Sequence, residues 1–221
     1  MKKKRNILIV IAIIAIVAAI GSTMAAFVAS TTTTKDVSAA ELGIKIVQNG
    51  DTARDVKSLD TAGDSKAGYQ YAGMPGDTVR QQVAVKSDPN SKDSYIRVTI
   101  NRSWQDKDGK KDFTLSPEEI GIIRDNDSWL VAEDPEDPEV IYCYYTKKVG
   151  GDTQTESVMD SFTILKDKVT ENSNAYAGYS ANITFEADAV QAEAGAKAML
   201  AEWGIIAELD AEGNLTDYTE Q

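Results

Sequence analysis

Histidine is absent from this chain, and cysteine occurs once, as Cys143. Without an imidazole, neither a Ser-His-Asp nor a Cys-His site can be assembled, and the two-histidine zinc helix of common metalloproteases is excluded. A single cysteine allows no intrachain disulfide, so the fold has to be held by its core. Cys143 itself lies in "VIYCYYT", a strand-like aromatic run in which a lone cysteine reads as a small buried hydrophobe. A phosphate-binding loop is also missing, because Gly150-Gly151 lacks the following Lys-Ser/Thr and helix. Positive charge is in deficit: 23 Lys and Arg stand against 35 Asp and Glu, for a net charge of −12. With acids spread along the whole chain, nucleic acid and anionic lipid are not expected partners.

Long apolar runs are scarce as well; one exists, at the start. Lys2, Lys3, Lys4 and Arg5 precede an uninterrupted apolar stretch from Ile7 to Ile20. A basic segment followed by an apolar one is the pattern of an export signal. As a helix rising ~1.5 Å per residue, Ile7–Ile20 falls short of a ~30 Å hydrocarbon core, whereas an extension to Val28 would reach across. Gly21 and Ser22 weaken the helix after the apolar run, and Thr23-Met24-Ala25 offers the small residues a signal peptidase reads. Cleavage is therefore expected between Ala25 and Ala26, with an uncut membrane anchor as the alternative. Loss of the four basic residues would carry the net charge from −12 to about −16.

Most of what remains alternates with period two. Leu42, Ile44 and Ile46 share one face, as do Val79, Val83 and Val85. Ile96, Val98, Ile100 and Trp104 oppose Arg97, Thr99, Asn101 and Ser103, and Tyr179, Ala181, Ile183, Phe185 and Ala187 oppose Ser180, Asn182, Thr184, Glu186 and Asp188. One buried and one wetted face per strand predicts paired antiparallel sheets, an antiparallel β-sandwich. The turn-rich stretches "MPGD", "SDPNSKD", "DKDGKKD" and "VGGDT" separate these runs. Two helical islands are expected. Ser116, Pro117 and Glu119 have capping-box spacing before Gly121, and "AVQAEAGAKAMLAEWG" places Ala192, Ala196, Met199 and Trp203 on one face before a Gly204 cap. Asn49–Lys66 reads as a surface loop, and the acidic end of the chain reads as frayed.

Three groupings invite a chemical reading. Asp106, Asp108 and Asp112 around Gly109 suggest a calcium loop, but Lys107, Lys110 and Lys111 crowd it and no terminal Glu follows, so a hairpin turn is expected. The acids Asp125, Asp127, Glu133, Asp134, Glu136, Asp137 and Glu139 read as solvated charge. Tyr142, Tyr144 and Tyr145 with Trp104 and Trp129 would make a sugar-binding face if they were exposed together, although strand aromatics more often pack inside. No catalytic, cofactor-binding or metal-binding residue is expected.

Several separated stretches together resemble one family, the camelysin/TasA-type exported matrix proteins of Gram-positive bacteria. Their signal peptides end in a Gly-x-Thr-x-Ala-x-Phe pattern, matched by Gly21, Thr23, Ala25 and Phe27. "VSAAELGI" resembles the strand that follows, with Val37, Ala40 and Gly43 at positions where the family has an aromatic, a glycine and an aspartate. "MPGDTVRQQVAVKSDPNSKDSYIRVTINRSW", "LSPEEIGII", "DSWL", "VIYCYYTKKVGGDTQT" and "ITFEADAVQAEAGAKAMLAEWG" follow in the family's order. The resemblance implies a jelly-roll-like sandwich, cleaved by a dedicated signal peptidase and deposited on the cell surface or in biofilm matrix. It also implies subunits that polymerise when the N-terminal segment of one completes the sheet of the next. The camelysin branch is labelled a metallopeptidase, a role not carried over to a chain without a histidine.

The expected organisation is a signal peptide over 1–25, an extended segment over 26–40, a sandwich over 41–206 and an acidic flexible tail over 207–221. Phe27, Val28, Thr31, Thr32, Thr33 and Thr34 form the candidate assembly strand. That stretch is β-branched and small, free of Pro and Gly, and a threonine-rich stalk is its alternative. The partners expected are copies of this chain or related matrix subunits, and the signal peptidase during export. The membrane is met only through the uncleaved N-terminus. A non-catalytic structural protein is the leading expectation, a glycan-binding surface adhesin the second and a camelysin-type peptidase the third.

Overall fold

Period-two patterning becomes strand in the computed structural model, which describes residues 25–31, 42–50, 57–58, 68–73, 75–134, 136–165 and 176–220. The strands are β1 (Ala25–Thr31), β2 (Ile44–Gly50), β3 (Lys57–Ser58), β4 (Gly68–Gly73) and β5 (Thr78–Ser87). There follow β6 (Ser94–Gln105), β7 (Lys111–Asp112), β8 (Ile120–Ile123), β9 (Trp129–Glu133), β10 (Val140–Tyr145), β11 (Met159–Ile164) and β12 (Ser180–Gln191). A helix, α1 (Gly195–Trp203), then leads into β13 (Ile205–Leu209) and β14 (Leu215–Glu220).

Two sheets face each other. The larger runs β3-β4-β1-β12-β6-β10-β9 with β7 paired to β6, and the smaller runs β2-β5-β11-β8. The pairings are antiparallel except β1 with β12. The molecule is thus mainly β, an antiparallel β-sandwich. Its interior holds Val79, Val83 and Val85 from the small sheet against Ile96, Val98, Ile100, Trp104, Ile183 and Phe185 from the large one. Each large side chain fully removed from water contributes roughly 1.5–3 kcal/mol, so this layer dominates the stability.

Two polar residues occupy inward positions that the alternation leaves unassigned. Arg102, between Ile100 and Trp104, is 5% exposed. It donates to the Pro138 carbonyl at 3.1 Å, to the Ile120 carbonyl at 3.3 Å and to Glu133 at 3.4 Å. Gln81, between Val79 and Val83, is buried and donates to Gln48 at 2.7 Å.

The outer face of the large sheet carries a second cluster. Tyr95, Tyr144 and Val190 lie under Met199 of α1 and Ile205 and Leu215 of the β13–β14 hairpin. This corrects the expected flexible tail over 207–221. Leu215 is buried, its N–H donates to the Thr146 carbonyl at 2.7 Å, and Tyr95 Oη donates to the Gly213 carbonyl at 2.6 Å. The acidic composition hid a turn in which Asp210 accepts from the backbone of Glu212 and Asn214.

The helical expectations also shift. β12 persists to Gln191, a 3-10 turn takes Ala192–Ala194, and α1 begins only at Gly195. Ala196 is exposed, and Gly195 and Met199 are the buried positions. Gly204 closes the helix in the left-handed conformation, φ 71°, as its sequence position suggests. At Ser116 no capping bond forms: Pro117–Glu119 is a 3-10 turn that runs directly into β8, and Glu119 accepts instead from Tyr176 Oη at 2.8 Å. Within the expected 49–66 loop, Lys57 and Ser58 pair with Gln70 and Tyr69.

Candidate assembly strand

Of the residues singled out in the N-terminal region, Ala25, Ala26, Phe27, Val28 and Thr31 lie in β1, and Thr32, Thr33 and Thr34 lie outside the described residues. β1 sits inside the large sheet, parallel to β12 on one side and antiparallel to β4 on the other. With β12 the ladder pairs Ala26 with Ser180, Phe27 with Ala181, Val28 with Asn182 and so on to Thr31 with Phe185. With β4 it begins one residue earlier, Ala25 opposite Gly73, and ends with Ser30 opposite Gly68. A cut between Ala25 and Ala26 would therefore leave every β12 pairing intact and remove a single pairing with β4.

The geometry makes this strand distinctive in two physical respects. Parallel ladders are slightly weaker per residue than antiparallel ones. A strand between two neighbours also covers two edges at once, so its withdrawal would expose the unpaired backbone of both β4 and β12.

The aromatic residues do not form a common face. Period two divides them: Trp104, Trp129 and Tyr145 point into the sandwich, whereas Tyr142 and Tyr144 belong to the outer cluster. A grouping not legible from local sequence forms there instead. The Arg97 guanidinium stands 5.6 Å from the Tyr142 ring centroid and 5.5 Å from that of Trp203, and donates to Asp188 at 2.8 Å. Tyr144 packs on Tyr218 and Trp203, with centroids 4.8 and 5.8 Å apart. Burial pushes the Tyr144 phenol up to about 12, against the pull of Arg97. This cluster fastens α1 and the hairpin to the sheet; the signal for it was the residue pairing Arg97–Asp188 across β6 and β12, which only the register reveals.

Cys143 is buried, and its thiol is raised to about 11 by that burial despite Arg124, whose guanidinium lies 3.3 Å from the sulfur. A thiol so placed is a poor nucleophile near neutral pH. The "DKDGKKD" stretch is a hairpin between β6 and β7: the Asp106 carboxylate accepts from the backbone of Asp108 and Lys110, each at 2.9 Å, and Gly109 has φ 73°. In the 133–139 stretch Asp134 accepts from the N–H groups of Glu136 and Asp137, while Glu133 and Glu139 pair with the distant Arg102 and Lys111. Among the described residues no group of three acids or thiols is placed to hold a metal ion.

The class defined by this architecture is a two-sheet β-sandwich whose N-terminal strand is held by backbone pairing inside the larger sheet. Comparison with protein-family models, with curated proteins and with solved structures yields no match.

Proposed function

We propose that this chain is a secreted, non-catalytic structural protein of the cell surface or biofilm matrix, whose subunits join by exchanging β1. The observation that carries the reading is β1 itself: a strand next to the expected cleavage point, tethered at one end after that cut, filling a slot between β4 and β12. Such a strand can leave without unthreading the rest of the chain. The slot it vacates presents two unpaired edges, which the same strand from another copy would satisfy with identical pairings. The connection from Thr31 to Ile44 can extend to about 40 Å, enough to span to a neighbour. A head-to-tail exchange of this kind yields a fibre wherever the rotation from one subunit to the next does not close a ring. The resemblance to camelysin/TasA-type proteins supports the same reading.

Electron microscopy of the chain beginning at Ala26, beside a chain lacking residues 26–37, tests it. Filaments are expected from the first and none from the second. Monomers from both, under all conditions, would sink the proposal.

A further inference from the structure

We propose that the free edge of β9 is a second, self-complementary contact through which two copies of this chain pair side by side. The hydrogen-bond parity of the strand sets the argument. Ser128 accepts from the Thr146 N–H at 3.0 Å and Asp134 donates to the Val140 carbonyl at 3.3 Å, so the even-numbered residues turn their backbone groups toward β10. The N–H and C=O of Trp129, Val131 and Glu133 therefore point away from the sheet, and they have no partner among the described residues.

Edge strands in natural proteins are usually guarded by lysine, proline, a bulge or a covering segment. In this fold β3 is two residues long and carries Lys57, and at β8 the Ile120 carbonyl accepts from Arg102. β9 has neither protection. It reads Trp-Leu-Val-Ala-Glu, its pairing with β10 contains no register shift, and Val131 at its centre is 43% exposed. Its one acid, Glu133, is drawn onto Arg102.

A two-fold antiparallel arrangement about Val131 uses every outward group. Val131 faces Val131 of the second copy, and Trp129 faces Glu133 in both directions, so all three residues of each copy exchange N–H and C=O bonds. Two identical strands complete the register with nothing left over, which is why a second copy is the occupant inferred. Two short strands bury less than the ~800 Å² per partner of a standard interface, so the contact is weak between free subunits. It becomes effective where subunits are already concentrated, as along a fibre. Two-fold pairing also brings Asp125 and Asp127 of one copy toward Asp134, Glu136 and Asp137 of the other. Like charges so placed make the pairing salt-promoted, since raising ionic strength from ~0.01 to ~1 M shortens the Debye length from ~30 to ~3 Å.

The test is a disulfide scan of the chain beginning at Ala26. Val131 lies directly opposite Cys143 on β10, so Cys143→Ala is the background. Across the proposed axis the Val131 Cα atoms stand ~5.5 Å apart, within disulfide reach. Val131→Cys should give a covalent dimer with oxidised glutathione, at a yield that rises with salt, whereas Leu130→Cys should give none. Absence of the dimer in a protein with native circular dichroism, or equal dimer from Leu130→Cys, overturns the proposal. Val131→Lys in the otherwise native chain supplies the second arm and leaves β1 untouched. Filaments that persist as single threads where the native chain bundles support edge pairing, and bundles identical to the native ones overturn it; where strand exchange fails and no filament forms, the covalent dimer alone decides.

Discussion

Arg102 shows what one residue can do against the pattern around it. It occupies an inward position in β6, yet its guanidinium reaches two backbone carbonyls and Glu133. The arginine side chain is 6% exposed and that of Glu133 60%. Burial decides which partner matters: an exposed carboxylate adds little, whereas removing the arginine strands the buried Ile120 carbonyl. Arg102→Ala should lower unfolding free energy by about 2–4 kcal/mol, and Glu133→Ala by well under 1 kcal/mol. Urea denaturation of both variants checks this, and equal losses would contradict it. Neither Arg102 nor Gln81 could be assigned from sequence, because alternation predicts where a side chain points and not what compensates a polar one there. The carbonyls that accept from Arg102 lie 18 and 36 residues away.

Among the elements, those with unbroken period two were legible: β5, β6 and β12 carry their expected apolar faces inward. Misreadings arose where local chemistry has two solutions. "AVQAEAGAKAMLAEWG" suits a helix, but its first residues complete a long ladder with β6, from Val190 opposite Tyr95 to Gln191 opposite Ser94. The 205–220 hairpin was hidden by acidity, although Ile205, Ala207 and Leu209 do alternate before an Asp-to-Gly turn. Gly204 was legible because a left-handed helix end needs glycine whatever surrounds it. A Cβ placed there meets nothing within 4 Å, so Gly204→Ala tests backbone strain alone. Its expected cost is about 1–2 kcal/mol, read from the thermal midpoint; no shift would mean that the cap does not bear on α1.

At the scale of the whole molecule, buried phenols occur in both cores. Tyr95, Tyr144, Tyr145, Tyr176 and Tyr218 all have phenols raised chiefly by burial. A raised phenol leaves stability intact below the unfolded value of ~10 and erodes it as pH climbs through the folded one, because only the unfolded chain ionises in that window. Absorbance at 295 nm should therefore lag that of free tyrosine above pH ~10 and then rise in step with loss of circular dichroism. A titration that follows free tyrosine with the fold intact would contradict the packing described. The candidate strand was legible as β-prone, but its place between β4 and β12 was not, since a parallel partner some 150 residues away leaves no local trace. Whether that place can be filled by another copy is the central question, and mixed disulfide formation asks it most directly. Val28 and Asn182 are opposed across β1 and β12, and native Cys143 is buried. Chains carrying Val28→Cys alone and Asn182→Cys alone should, when mixed and oxidised, give a covalent heterodimer. If the double variant closes within one chain while the mixture gives no heterodimer, β1 stays at home and the exchange account fails.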